Sequence, residues 1–142
     1  GSGGGGNYVV AVRLDDPQHE QAYRINRQAP YVPTSVAAGK YVFLWSDKGV
    51  ATCLDAASGE EQWVKRVGGN YSGSPVHAAG RIYCISDDGD VVVLAAAPQY
   101  ELLGRNPLGE GSRSTPAVAQ GRMFLRTYSR LFCIGGDDRE IR

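Results

Sequence analysis

The sequence has no excess of charge of either sign, because 15 lysines and arginines balance 15 aspartates and glutamates. A protein that binds nucleic acid or anchors to a membrane through a polybasic segment needs a surplus of positive charge. The sequence therefore argues against both kinds of binding. No apolar run approaches the roughly 20 residues that a membrane-spanning helix needs, and we expect no membrane insertion. No secretion signal is visible, and the glycine-rich residues 1–6 resemble a cloning remnant.

Cysteine is also scarce. The three cysteines, Cys53, Cys84 and Cys133, lie far apart, each inside an apolar strand pattern. An odd number of widely spaced cysteines is poor support for a disulfide framework. We therefore expect three buried free thiols that pack as small hydrophobic side chains.

Catalytic and metal-binding motifs are missing as well. The sequence has no Gly-x-Ser-x-Gly motif for a nucleophilic serine, and its two histidines, His19 and His77, lack the neighbours of a metal site. A cluster of carboxylates around Gly89 lacks the distant glutamate of a calcium loop, and we expect a plain hairpin turn there: Asp87, Asp88 and Asp90. The sequence predicts no catalytic, cofactor-binding or metal-ligating residues.

What the sequence does contain is a repeat. Gly39, Gly80 and Gly121 lie 41 residues apart, and each is followed by a basic residue and an apolar run. We predict hairpin turns at Ala38–Gly39, Ala79–Gly80 and Gln120–Gly121. A period near 40 residues with four short strands per unit is typical of a β-propeller blade.

The predicted fold is all-β, a partial β-propeller of four-stranded antiparallel blades, with about three to three and a half blades in the chain. We assign a partial blade to residues 7–30, full blades to 31–70 and 71–111, a partial blade to 112–136 and a solvated tail to 137–142, which includes Asp137–Asp138. In the first partial blade, Leu14–Asp15 corresponds to Leu54–Asp55, and Tyr23 corresponds to Trp63.

The clearest copy of the repeat is residues 53–63, Cys-Leu-Asp-Ala-Ala-Ser-Gly-Glu-Glu-Gln-Trp. Asp55 is predicted to accept hydrogen bonds from the backbone of its own turn, and Gly59 to adopt the positive φ that the turn requires. Trp63 is predicted to lie across this hairpin. The next unit has no tryptophan, and we expect Tyr100 or Leu102 to pack in its place.

This stretch resembles the tryptophan-docking repeat of the PQQ-like β-propellers, Ala-x-Asp-x-x-Thr-Gly-x-x-x-Trp, with Ser58 at the threonine and Cys53 at the alanine. The segments from Ser74 to Tyr83 and from Thr115 to Phe124 resemble inner strands of the same family. The chain resembles the C-terminal half of exported bacterial PQQ-binding-like repeat proteins, and this resemblance implies a periplasmic or extracytoplasmic location. Quinone-dependent dehydrogenases of the family use adjacent cysteines, and the separated cysteines here predict no cofactor.

A closed propeller of this kind needs more blades than this chain supplies. We therefore expect either a fragment or a subunit that completes a ring with a partner, with a homodimer favoured and the two chain ends pairing with each other.

Loops that lead into the innermost strands are expected to converge at one mouth of the propeller channel, and they carry the candidate binding residues Tyr31, Asn70, Tyr71, Ser112 and Arg113. Aromatic and arginine side chains are common anchors of binding surfaces. The predicted function is a non-catalytic scaffold that binds a protein, glycan or other polymer there; packing between blades is the other role open to these residues. Two further alternatives are half of a ring-shaped, quinoprotein-like enzyme and a structural or engineered half-propeller that self-assembles.

Overall fold

The computed structural model describes residues 6–15, 17–18 and 20–135, and these residues form β-strands and no helix. In chain order the strands are β1 (Val9–Val12), β2 (Gln21–Ile25), β3 (Val36–Ala38), β4 (Tyr41–Trp45), β5 (Val50–Asp55), β6 (Glu61–Arg66), β7 (Val76–Ala78), β8 (Arg81–Ile85), β9 (Asp90–Ala95), β10 (Leu102–Pro107), β11 (Ala117–Ala119), β12 (Arg122–Arg126) and β13 (Leu131–Gly135). The predictions made for His19 and for Asp137–Asp138 lie outside the described residues.

The strands form antiparallel meanders. Strands β3–β6 make one four-stranded sheet, β7–β10 make a second, and β11–β13 make a three-stranded sheet; we call these sheets blade I, blade II and blade III. Strands β1 and β2 pair with each other as an N-terminal hairpin. The first strands of blades I and II, β3 and β7, lie close together, as expected where blades fan out from an axis. The predicted all-β, partial β-propeller fold is confirmed.

The repeat is not a uniform 41 residues. Equivalent residue pairs flank the first turn of each blade and give steps of 40 and then 41 residues: Ala38–Tyr41, Ala78–Arg81 and Ala119–Arg122. The first turn is therefore Gly39–Lys40, and the prediction of Ala38–Gly39 is wrong. Turn chemistry explains the difference. The other two turns place two residues at positive φ, as in type I′ turns, whereas the first has only Gly39 at positive φ.

The hydrophobic core lies between the blades, because a single sheet cannot bury both of its faces. Blades I and II enclose twelve buried residues, which we call the first interface: Ala38, Phe43, Trp45, Ala51, Cys53, Trp63, Val67, Tyr71, Ile82, Cys84, Val92 and Leu94. Blades II and III enclose four, which we call the second interface: Ile85, Val91, Val93 and Leu125. The first and second interfaces are formed by equivalent strands, but the first buries more hydrophobic side chains than the second.

Two of the three cysteines match the sequence prediction. Cys53 and Cys84 are buried free thiols in the first interface. Burial raises the pKa of Cys53 to about 11 and raises the pKa of Cys84 further above its usual value. The prediction for Cys133 is wrong, because this free thiol is exposed. It lies on β13, an edge strand of blade III that no other described strand covers.

Candidate functional site

The turn between β5 and β6 is held by one carboxylate. Asp55 Oδ1 accepts hydrogen bonds from the backbone N–H groups of Ala57 and Ser58, each at 3.0 Å, and from the Ser58 hydroxyl at 3.0 Å. These bonds, led by the one from the Ser58 backbone, lower the pKa of Asp55. Gly59 follows with φ of 75°. The sequence predictions for Asp55 and Gly59 are both confirmed.

Trp63 joins two blades. Its indole N–H donates to the backbone carbonyl of Ala97 in blade II at 3.0 Å, and its ring packs edge-on against Tyr100, with ring centroids 5.3 Å apart. Trp63 was predicted to lie across its own hairpin, and its ring does pack against Phe43 of blade I, with ring centroids 5.9 Å apart. The sequence analysis did not anticipate that the same ring also docks on the following blade.

Tyr23 makes the same kind of contact from the N-terminal hairpin to blade I. Its hydroxyl donates to the Ala56 carbonyl at 3.1 Å, which is the counterpart of the bond from Trp63 to Ala97. The ring lies over Gly59, where an added Cβ would come within 2.5 Å of Tyr23 Cδ2. Tyr23 therefore does correspond to Trp63, and Gly59 is needed for this contact as well as for its backbone conformation.

Blade II has no docking aromatic of its own. Strand pairing fixes the equivalence: Trp63 pairs with Cys53 on β5, and Gly104 pairs with Val93 at the matching place on β9. The prediction that Tyr100 or Leu102 takes the place of the tryptophan is wrong. Tyr100 instead receives Trp63 from the preceding blade, and Leu102 is exposed.

The loops that enter the first strands of the blades are linked by hydroxyl groups. The Thr34 backbone N–H donates to Ser74 Oγ at 2.9 Å, and the Ser74 N–H donates to Thr115 Oγ1 at 2.9 Å. Each blade thus binds its neighbour through the same atom pair. The spacing also makes Tyr31, Tyr71 and Ser112 equivalent positions.

The five candidate residues divide by burial. Tyr71 and Ser112 have exposures of 2% and 1%, so their side chains act inside the protein. Tyr71 packs edge-on against Trp45, with ring centroids 5.2 Å apart, and burial raises its pKa to about 12. The Ser112 hydroxyl donates to the Arg126 carbonyl at 2.6 Å.

Tyr31, Asn70 and Arg113 are exposed on these loops. Asp47 holds Tyr31 in place, since its two carboxylate oxygens accept the N–H groups of Tyr31 at 2.7 Å and of Val32 at 3.0 Å. Tyr31 and Val32 therefore project from a fixed backbone, with exposures of 56% and 52%. Sequence reasoning did not single out Asp47 or Val32, although an aspartate in the turn after β4 was a usable signal.

Blade III is fastened to blade II by a second carboxylate. Glu110 Oε2 accepts a hydrogen bond from the Thr127 hydroxyl and one from the Ser129 N–H at 3.1 Å. These bonds, led by the one from the Thr127 hydroxyl, lower the pKa of Glu110. Glu110 lies in the loop after β10, while Thr127 and Ser129 lie in the turn after β12, so the contact crosses the second interface.

The described residues contain no group of three or more His, Cys, Asp or Glu side chains placed to hold a metal ion. His77 is exposed on β7. The Asp87–Gly89 turn is a hairpin in which the Gly89 N–H donates to the Ser86 carbonyl at 2.9 Å. Within the same described ranges, no helix is long and apolar enough to cross a membrane.

Meander sheets joined by an aromatic side chain that docks on the next blade define part of a β-propeller of the tryptophan-docking type. A family model described as outer membrane protein assembly factor BamB matches residues 12–99, more than half of the chain. The chain belongs to this PQQ-like β-propeller family, as the residues of the docking motif suggested.

Solved structures agree on the fold. BamB from Moraxella catarrhalis has a TM-score of 0.73 at 16% sequence identity, over 90% of this chain and 40% of that one. A europium-containing methanol dehydrogenase has a TM-score of 0.60 at 15% identity, over 69% of this chain and 21% of that one. The chain spans less than half the length of either protein, and at these identities the likeness concerns the fold alone. No curated protein matches the chain.

Proposed function

We propose that the chain is a non-catalytic propeller scaffold that binds a polypeptide partner outside the cytoplasm. The family described as outer membrane protein assembly factor BamB supports an extracytoplasmic, protein-binding role. The observation that carries the proposal is the exposed pair Tyr31 and Val32 on a backbone that Asp47 fixes. Asn70 and Arg113 extend the proposed binding surface along the equivalent loops.

The energetics favour this surface for binding. An exposed tyrosine offers a large contact area with few rotatable bonds, and arginine and tyrosine are enriched among residues that dominate protein interfaces. The backbone at Tyr31 is already ordered by two hydrogen bonds to Asp47, so less conformational entropy is lost on association. Lys48 Nζ donates to the Asn70 side chain at 3.3 Å, which orders a second part of the surface.

Site-specific photocrosslinking tests the proposal. A benzophenone amino acid placed at Tyr31 or Arg113, in cells of the organism that encodes the chain, is expected to form a discrete adduct with a polypeptide. The matched control is Arg81, which is exposed at the other end of its blade, after the turn that precedes β8. Equal adducts from Arg81, or none from the loop positions, would refute a binding surface on these loops.

A second proposal, ring completion by a second copy of the chain, rests on the hydroxyl links between blades. The Thr34 backbone N–H donates to the Ser74 hydroxyl, and the Ser74 N–H donates to the Thr115 hydroxyl. If a second copy continues this series of blades, the Thr115 N–H of one copy is the donor that matches the Thr34 hydroxyl of the other. Strand β13 is an edge of its sheet and carries the exposed Leu131, which favours cover by another strand.

Sedimentation of the purified chain distinguishes a monomer from a homodimer. A homodimer is expected at twice the monomer mass of 15.2 kDa, and Thr34→Val, which removes the accepting hydroxyl, is expected to weaken association. Glu101→Gln changes an exposed side chain of blade II away from these links and is the control. A monomer at all concentrations would exclude ring completion by a second copy.

A further inference from the structure

The second interface contains a cavity of about 690 Å³ between blades II and III. Val93 and Leu108 line it from blade II, and Met123, Leu125 and Ile134 line it from blade III. The equivalent space in the first interface is closed by side chains. A volume of this size is within the range of small-molecule sites.

The cavity follows from particular residues. Trp63 in the first interface is matched by Gly104 in the second, through their pairing with Cys53 and Val93. Tyr71 is matched by Ser112, since their N–H groups donate to equivalent turn carbonyls. Two aromatic rings are therefore missing from the second interface. Leu125 of blade III is larger than its counterpart in the first interface, Cys84 of blade II, but it fills only part of the space.

Polar groups at the cavity have no described partner. Asn106, Tyr83 and Arg122 line it, and within residues 20–135 none of their side chains has a hydrogen bond or ion pair. An apolar cavity with a few free polar groups is typical of a site that both buries and orients a ligand. Arg122 supplies positive charge at one edge, so it favours an anionic group there.

We propose that this cavity binds a small, planar aromatic molecule that carries a carboxylate. The flat ring system occupies the space that the Trp63 ring fills in the first interface. There Trp63 packs against Phe43, and the counterpart of Phe43 in blade II, Tyr83, lines the cavity. The carboxylate lies toward Arg122, and the Asn106 amide is a further hydrogen-bond donor. Such a site is independent of the exposed loops that carry Tyr31.

The chain has a single methionine, Met123, and it lines the cavity. A methionine-methyl ¹³C label therefore gives one NMR signal that reports on this site alone. Titration of the full chain with 2-naphthoate is expected to shift that signal saturably through the ring current, with a Kd on the order of 100 µM for a ligand of this size. No saturable shift of the Met123 signal would overturn the proposal.

Two variants at Gly104 test the location. A Cβ at Gly104 meets only Asn106 Nδ2, at an ordinary 3.5 Å, and Asn106 lies on the cavity side of β10. Gly104→Trp is expected to fill the cavity and to weaken naphthoate binding at least tenfold, whereas Gly104→Ala is expected to leave it unchanged. Unaltered binding to a folded Gly104→Trp protein would place the ligand elsewhere and overturn the proposal.

The charge preference has its own test, which does not depend on Gly104→Trp folding. Arg122→Gln is expected to weaken binding of 2-naphthoate about tenfold, the loss of one charge-assisted hydrogen bond. It is expected to leave binding of the neutral analogue 2-naphthalenemethanol unchanged. Equal losses for both molecules, or none for naphthoate, would overturn the assignment of the carboxylate to Arg122.

Discussion

The first and second interfaces are built from equivalent strands but packed differently. In the first, Trp63 crosses from blade I to the Ala97 carbonyl of blade II, and Tyr71 packs edge-on against Trp45. In the second, Gly104 and Ser112 occupy those positions and a cavity remains. The comparison shows that the repeat backbone specifies the stacking of blades, while a few large side chains decide whether the space between them is closed.

The largest expected effect is the loss of Trp63. Trp63→Ala removes a buried indole and its hydrogen bond to Ala97, and it leaves a cavity that resembles the one in the second interface. We expect a loss of about 3–5 kcal/mol in the free energy of unfolding, measured by urea denaturation. Leu102→Ala, on an exposed side chain, is the control and is expected to change it by less than about 0.5 kcal/mol. A small effect of Trp63→Ala would mean that the first interface is not held by its docking residue.

A smaller loss is expected at the contact between the N-terminal hairpin and blade I. Gly59→Ala places a methyl group in the Tyr23 ring and at positive φ, with an expected cost of about 2 kcal/mol. Gly39→Ala shares the positive φ but has no atom within 4 Å of its Cβ, and about 1 kcal/mol is expected. Urea denaturation measures the free energy of unfolding of both variants, and the difference between their losses is the part that is due to the Tyr23 contact. Equal losses would show that Tyr23 contributes no docking energy.

Filling the second interface is expected to have an effect of opposite sign. Gly104→Trp supplies the aromatic ring that blade II lacks, and we expect a gain of about 1 kcal/mol in the free energy of unfolding. Thermal unfolding of this variant, with Gly104→Ala as the control for lost glycine entropy, measures it. A loss of stability from Gly104→Trp alone would mean that the cavity does not match the shape of a docked indole.

The sequence predicted the fold because its turn chemistry and its docking motif are local. Asp55, Gly59 and Trp63 lie within nine residues, and each has a role that backbone geometry requires. The match of Tyr23 to Trp63 was also readable from spacing. These features define the blade and its direction of stacking.

The candidate site was less predictable, because burial between blades depends on residues far apart in the chain. Tyr31 and Tyr71 occupy equivalent loop positions, yet Tyr31 is exposed and Tyr71 is buried against Trp45. The place of the tryptophan in blade II was missed for a related reason. Both blades have a register shift at this place, between Glu61 and Trp63 and between Leu102 and Gly104, so Gly104 is the counterpart of Trp63. Composition alone favoured the nearby Tyr100 and Leu102.

The smallest expected effects concern the loss of stability in acid. They depend on two carboxylates, Asp55 in the turn between β5 and β6 and Glu110 in the contact between blades II and III. The pKa of Asp55 is lowered by hydrogen bonds from Ser58 and Ala57, and the pKa of Glu110 by hydrogen bonds from Thr127 and Ser129. A folded state that lowers a pKa binds the proton less tightly than the unfolded chain. The stabilisation is therefore fully present above about pH 4.5 and is lost as the pH falls through the folded-state pKa.

Urea denaturation between pH 3 and pH 7 distinguishes these contributions. Asp55→Asn and Glu110→Gln keep an acceptor oxygen but do not titrate, so each is expected to flatten the decline in stability below about pH 4.5. Glu110 bonds blade III across the second interface, which buries few residues. Glu110→Gln is therefore expected to lower the free energy of unfolding at pH 7 in the absence of ligand, without altering the Trp63 contact. A decline with unchanged slope in both variants would show that neither carboxylate couples protonation to the stacking of blades.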